Sequence, residues 1–328
     1  MIVSKTPLRA SFFGGGTDFY DYFHNSKYGY GNVISTTLGM YVYIVVNKRM
    51  DEKIRIVYWD NELVDDVNEI KHNIIREALK ITNITSSIEI IYFCDLPMTN
   101  LGIGLASSSA LAVGVLNALH RFKNEMVSKE QLAKEAIDLE INHLHQEIGI
   151  QDQYAVAYGG LNRFIFNKNN KVDVIPLAIT DNVKEELNNH LMFFYTGNAR
   201  DSRQIFKEQK ETTKNHREIL DFLVEATNTA YQNILNGDID SWGDLLKQTW
   251  EKKKQFAKGV TDENINKMYD LALNNGALGG KILGAGGGGF LLLYVLPDKQ
   301  ENVRKALSNY KEVNFKLDSE GSRIVYQD

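Results

Sequence analysis

Residues 87–119, SIEIIYFCDLPMTNLGIGLASSSALAVGVLNAL, run from a β-branched stretch through a glycine- and serine-rich loop into a helical pattern, and that order decides the fold. Leu111, Val115, Ala118, Leu119 and Phe122 recur at helical spacing, which predicts a helix over 108–122 with its first turn among the serines. The free amides and positive dipole end of a helix N-terminus make an anion site, and glycines let backbone approach phosphate oxygens closely. Gly102, Gly104, Leu105, Ala106, Ser107, Ser108, Ser109 and Ala110 are therefore candidates for binding nucleotide phosphates. Taken alone, the loop reads equally well as a packed turn that caps a helix. It is not a Walker loop, because no Lys follows the glycines. It also lacks the third small residue and the βαβ return of a dinucleotide fingerprint.

Outward from this loop, residues 41–46, 54–58 and 88–93 predict strands, with one helix over 68–80. Ser128 and Gln131 suggest a capping box for a second helix after the loop. Residues 161–166 and 171–175 predict a hairpin. The character of the chain changes at Pro176, where a domain boundary is expected near residue 180. Residues 202–275 read as charged amphipathic helices, followed by a strand over 290–296, a helix over 298–309 and a final strand or two. The expectation is an α+β protein of two domains, 1–180 and 181–328.

At 328 residues the chain exceeds what one core usually supports, and its apolar content provides for a sizeable interior. A net charge of -5 argues against a broad nucleic-acid footprint. The single cysteine, Cys94, forms no intrachain disulfide, and no Cys/His spacing suggests zinc. The N-terminal residues lack the continuous apolar region of a secretion signal, and no apolar run could span a bilayer. A cytoplasmic protein without nucleic-acid or membrane partners is expected. Its oligomeric state is open, a homodimer included.

Four further segments carry candidate chemistry. In TPLRASFFGGGTDFYDYF, Arg9 and Asp18 flank the triplet Gly14–Gly16, which places a base and an acid beside closely approaching backbone. In GIQDQYAVAYGGLN, Asp152 stands between Gln151 and Gln153 and within apolar neighbours. This predicts a buried polar cluster that needs partners, the alternative being a solvated loop carboxylate. GALGGKILGAGGGGF is flanked by Leu278, Ile282, Leu283 and Phe290, so it reads as a packed loop whose glycines allow positive φ, not as a linker. In TGNARDSRQIF, Arg200 and Arg203 follow a strand over 191–195; guanidinium groups suit a phosphate, and solvated helical arginines are the alternative.

With these segments in order, the chain resembles the GHMP kinases, the class of galactokinase, homoserine kinase and mevalonate kinase. TPLRASFFGGGTDF resembles the N-terminal substrate motif, GIGLASSSA the phosphate-binding loop and GGKILGAGGGG the C-terminal glycine motif, here Gly284, Gly286, Gly287 and Gly288. Within the class, TPLR, FGGGTD, QDQYAVAYGGLN and TGNARDSRQI look most like the D-glycero-D-manno-heptose 7-phosphate kinases. The resemblance implies an N-terminal domain like ribosomal S5 domain 2, a C-terminal ferredoxin-like domain and an active site in the cleft between them. It also implies transfer of the ATP γ-phosphoryl to the anomeric hydroxyl of a sugar phosphate, in nucleotide-heptose synthesis.

By the same resemblance, Asp152 matches the catalytic base and Arg9 its basic partner, which steadies the transferred phosphoryl. Magnesium is implied at Ser108 or Ser109 with Glu140. Gly15 and Gly16 stand where galactokinases carry a Glu-His pair that reads the sugar, and this opens the pocket. Asp18 is retained for sugar hydroxyls, with Thr17 and Gln151 beside it and Lys281 a further candidate for a phosphate. Ala106 takes a place usually given to glycine, and Ile150 replaces a lysine common in heptose kinases. An unphosphorylated sugar such as fucose or galactose is the alternative acceptor. A dinucleotide oxidoreductase and a non-catalytic sensor are the rival classes: the first predicts NAD binding, and the second tolerates loss of Asp152.

Overall fold

The computed structural model describes residues 1–96, 103–197, 205, 208–209 and 216–328. Two antiparallel-rich sheets form the frame. The first, of nine strands among the described residues, is built on two long neighbours: β1 (Ile2–Phe13) and β2 (Tyr30–Lys48) pair from Ile2↔Val46 to Phe13↔Ile34. The other edge of β2 receives β6 (Asn162–Asn167) at Tyr30–Ser35 and β5 (Ile88–Cys94) at Val42–Lys48. The strands β3 (Ile54–Val57) and β4 (Asn61–Val64) extend the sheet from β5, and β7 (Val172–Pro176) from β6.

Most of β1 is buried on both faces, so its apolar residues do not alternate and its full length is hard to read from sequence. Between strands lie α1 (Tyr20–Phe23), α2 (Asn73–Ile81), α3 (Ser107–Phe122), α4 (Lys129–Ile137) and α5 (Gln151–Tyr158). The sheet-facing side of α3 carries Gly114, where a Cβ would lie 2.8 Å from Thr6 Oγ1; its absence lets helix and strand touch, and Ser4 Oγ donates to Gly114 O at 2.8 Å. The helix expected over 68–80 is divided. Asp66 caps a short turn, Val67–Glu69, and His72 caps α2 separately, so each start has its own side-chain acceptor. Ser128 accepts from Gln131 N as expected of a cap, but the Gln131 side chain turns to Glu135, which leaves the capping box half made.

After α6 (Asp181–His190) comes the second sheet, in the order β11-β8-β10-β9. It consists of β8 (Leu191–Tyr195), then α7 (Arg217–Leu235), α8 (Ser241–Lys253) and α9 (Glu263–Asn274), then β9 (Ala277–Ile282), β10 (Phe290–Val295), α10 (Pro297–Ala306) and β11 (Lys311–Glu312). This is the ferredoxin-like arrangement. Here α8 lies directly on β9, because a Cβ at Gly279 would fall 2.0 Å from Gly243 O. The contact fixes where the C-terminal end of α8 points.

The tail crosses the division expected at residue 180. Strand β12 (Leu317–Asp318) pairs with β2, and β13 (Arg323–Gln327) pairs with β1, covering an edge that would otherwise leave backbone groups unpaired. The halves also share core: Trp242 of α8 stands edge-on to Phe13, with centroids 5.0 Å apart, and tilted against Phe12 at 5.2 Å. No helix among the described residues is long and apolar enough to cross a membrane.

Candidate active site

A cleft of about 410 Å³ opens between the halves, lined by Arg9, Asp18, Gln151 and Asp152 from the first and Lys253 and Lys281 from the second, among others. Arg9 comes from β1 and is 2% exposed, while Asp152 occupies the first turn of α5. Arg9 Nε donates to Asp152 Oδ1 at 2.8 Å and Nη2 to Oδ2 at 2.7 Å, a bidentate pair. The remaining nitrogen, Nη1, donates to Gly104 O at 2.7 Å, and the Arg9 backbone N–H donates to Leu105 O at 3.1 Å. One side chain thus ties the carboxylate to the glycine loop. The Asp152 side chain stays 20% exposed toward the cleft.

Among the described residues no side chain caps α3, which leaves the amides of its first turn available to a ligand. Behind that turn Ser109 Oγ donates to Glu140 Oε2 at 2.7 Å, and Gln153 Nε2 donates to the same oxygen at 2.5 Å. Glu140 sits on a π-helical turn, Asp138–His143, and is fully buried. Burial pushes its carboxyl up to about 7, with the Ser109, Gln153 and Ser108 side chains opposing. Its second oxygen, Oε1, is buried and, among the described residues, has no partner at normal hydrogen-bond geometry. A buried carboxylate oxygen without a partner, beside serine hydroxyls at a helix N-terminus, is a hard-oxygen donor set suited to Mg²⁺. No group of three His, Cys, Asp or Glu among the described residues could hold a metal, so Ser108, Ser109 and Glu140 would share the ion with phosphate and water.

Asp18 is buried, its oxygens accepting from Gly16 N at 2.9 Å and Gln151 N at 3.2 Å. Burial raises its pKa, and those backbone donors oppose the rise. Ser11 Oγ donates to Gln151 Oε1 at 2.8 Å. Lys281 Nζ reaches across to Ser11 O at 2.9 Å and Phe12 O at 3.2 Å. Lys253, at the end of α8, donates to Gly284 O at 3.1 Å, and burial lowers its pKa to about 8. Burial also lowers Lys281 well below its usual range, with Lys253 adding to the effect.

Several expected residues stand elsewhere. Thr17 does not face the cleft: its hydroxyl donates to Asn32 O at 2.8 Å and accepts from Asn32 N at 3.0 Å, which pins the turn to β2. The C-terminal glycines adopt positive φ at Gly284, Gly286, Gly287 and Gly288, as their sequence suggested. What Gly284 and Gly286 approach closely, however, is protein. A Cβ on Gly284 would meet Gly104, and one on Gly286 would meet Val260. Ile150 is buried in the hydrophobic core and is not itself among the residues lining the cleft. Gly102, Arg200 and Arg203 lie outside the described residues.

Sequence reasoning missed Ser11 and Lys253, and it placed Gln153 in a buried polar cluster without naming Glu140 as its partner. Lys253 is the middle of three consecutive lysines, and only its burial separates it from Lys252 and Lys254.

Residues 68–160 match the family described as GHMP kinases N terminal domain, and residues 230–313 match GHMP kinases C terminal. The chain is 31% identical over 320 residues to the D-glycero-alpha-D-manno-heptose 7-phosphate kinase of Campylobacter jejuni, covering 93% of each chain. It is 26% identical over 345 residues to the galactokinase of Pyrococcus furiosus, covering 93% of this chain and 92% of that one. The crystal structure of a D-glycero-D-manno-heptose 1-phosphate kinase from Bacteroides thetaiotaomicron superposes with a TM-score of 0.81 at 23% identity over 100% of both chains, a likeness of fold.

Proposed function

The chain belongs to the GHMP kinases, and from that premise we propose that it transfers the γ-phosphoryl of ATP to the anomeric hydroxyl of a sugar phosphate, D-glycero-D-manno-heptose 7-phosphate first among candidates. The observation that carries this reading is the Arg9–Asp152 pair, hydrogen-bonded to the loop ahead of α3 and open to the cleft. In phosphoryl transfer, positioning and charge neutralisation do most of the work, because the transition state carries its charge on three equatorial oxygens.

The chain's own groups divide that work. The uncapped first turn of α3 and the Gly104 backbone hold the nucleotide phosphates. Asp152 accepts a hydrogen bond from the acceptor hydroxyl, orients it toward the γ-phosphorus and takes its proton as the new P–O bond forms and the bond to the ADP leaving oxygen breaks. Arg9 fixes the plane of that carboxylate from a buried position, so the exposed lone pairs point one way. Asp18, held by two backbone N–H groups, accepts from sugar hydroxyls. Mg²⁺, held by Glu140 with Ser108 or Ser109, would neutralise charge on the β- and γ-phosphate oxygens when bound.

This reading also suggests that the protein supplies a sugar 1,7-bisphosphate for nucleotide-heptose synthesis. The test is an ATP-consumption screen over heptose 7-phosphate, hexose phosphates and free sugars, with phosphorus NMR locating the new phosphate. Signal from heptose 7-phosphate, with an anomeric phosphate formed, is the expected result. Turnover confined to a free hexose would replace the acceptor named here.

A further inference from the structure

The side chain missing at Gly15 leaves a space that polar atoms surround. A Cβ there would lie 3.5 Å from Lys253 Nζ, 3.6 Å from Gln151 Nε2 and 3.7 Å from Ser11 Oγ. Behind it a smaller recess of about 230 Å³ continues between Phe12, Phe13, Thr249 and Trp250, bordered by both Lys253 and Lys281. The indole N–H of Trp250 is buried there with no partner among the described residues.

Both lysines are 5% exposed, and neither is in an ion pair among the described residues. Each ammonium has three N–H donors. Lys253 uses one, on Gly284 O, and Lys281 two, on Ser11 O and Phe12 O, which leaves both with donors to spare. The Gln151 amide is oriented by Ser11, its oxygen occupied and its Nε2 turned to the same space. Asp18 acts on both lysines through space, but its oxygens are engaged by the Gly16 and Gln151 backbone.

Two buried amines that face one space and bond only to carbonyls resist charging unless an anion completes them. A phosphate matches this surplus of donors, having acceptor oxygens on every side. We propose that the space around Gly15, closed by Lys253, Lys281 and the Gln151 amide, takes the phosphate of the acceptor that is distal to the reacting hydroxyl. The inference rests on the reading of the acceptor as a sugar phosphate, and it assigns the discrimination between a phosphorylated and a free sugar to α8 and β9 of the second half.

The experiment is calorimetric titration, without nucleotide, of D-glycero-D-manno-heptose 7-phosphate and of the same heptose lacking the phosphate into wild type, Lys253→Met and Gly15→Ala. The alanine is sterically tolerated, since its nearest contact would be 3.5 Å, yet it occupies the space. Wild type should prefer the phosphorylated sugar at least tenfold, and each variant should lose most of that preference. An absent preference in wild type, or one that both variants keep, overturns the subsite. Preference in wild type that both variants lose, without any ATP consumption, would instead contradict the kinase reading and leave the subsite standing.

Discussion

Gly284 lies against Gly104 with no room for a side chain: a Cβ on Gly284 would fall 2.6 Å from the Gly104 Cα. The contact joins the loop ahead of α3 to the C-terminal glycine segment. A Cβ on Gly104 would in turn fall 2.3 Å from Leu283 O, and Gly104 has φ +80°. Both residues therefore serve the junction between the halves as well as any ligand.

Gly104→Ala is accordingly expected to cost at least about 2 kcal/mol, combining left-handed backbone strain with a clash against main chain that cannot step aside. Because Arg9 Nη1 bonds to the carbonyl of the same residue, ATP binding should weaken alongside stability. Thermal unfolding and ATP titration of the variant check both effects. Unchanged values would mean the two segments do not depend on this contact.

Ala106 precedes the first turn of α3 with φ +60°, in the left-handed region that an alanine adopts only at a cost of about 1–2 kcal/mol. Ala106→Gly relieves that strain, offset by about 0.4–1 kcal/mol of extra freedom in the unfolded chain. The variant should be equal to wild type or more stable by up to about 1.5 kcal/mol, measured by denaturant unfolding with the m-value unchanged. A clear loss of stability would show that the methyl group has a packing role.

Lys253 is buried, and its pKa is depressed from 10.5 to about 8. The folded state therefore binds this proton more weakly than the unfolded chain. Charging it costs folding free energy at neutral pH, and the cost fades as pH rises from 8 toward 10.5. Lys253→Met should be more stable than wild type at pH 7, by about 1–3 kcal/mol, with the difference shrinking above pH 8. Unfolding at several pH values checks the direction. A difference that grows with pH would contradict it.

Much of this was legible in the chain because glycine, a paired acid and base, and a helix start are demanding local chemistry. Arg9, Asp18, Asp152 and Gly104 were singled out as residues; the structure brings the first three to one cleft and bonds Arg9 to the Gly104 carbonyl. Less could be read where tertiary pairing overrides local pattern. The length of β2 follows from serving β1, β5 and β6 in turn, and β13 finds its place only because β1 offers an edge. Thr17 looked like part of the substrate motif, yet its hydroxyl is consumed by Asn32. Lys253 carried no signal at all, since a run of lysines reads as solvated surface until packing buries one of them.

Asp152, held flat by Arg9 beside the loop ahead of α3, is assigned the proton of the acceptor hydroxyl. Asp152→Asn keeps the shape and removes the charge, so steady-state kinetics together with ATP titration of that variant test that assignment most directly. Turnover should fall on the order of 10³-fold while the ATP dissociation constant stays within about threefold. Turnover near the wild-type rate would contradict the claim.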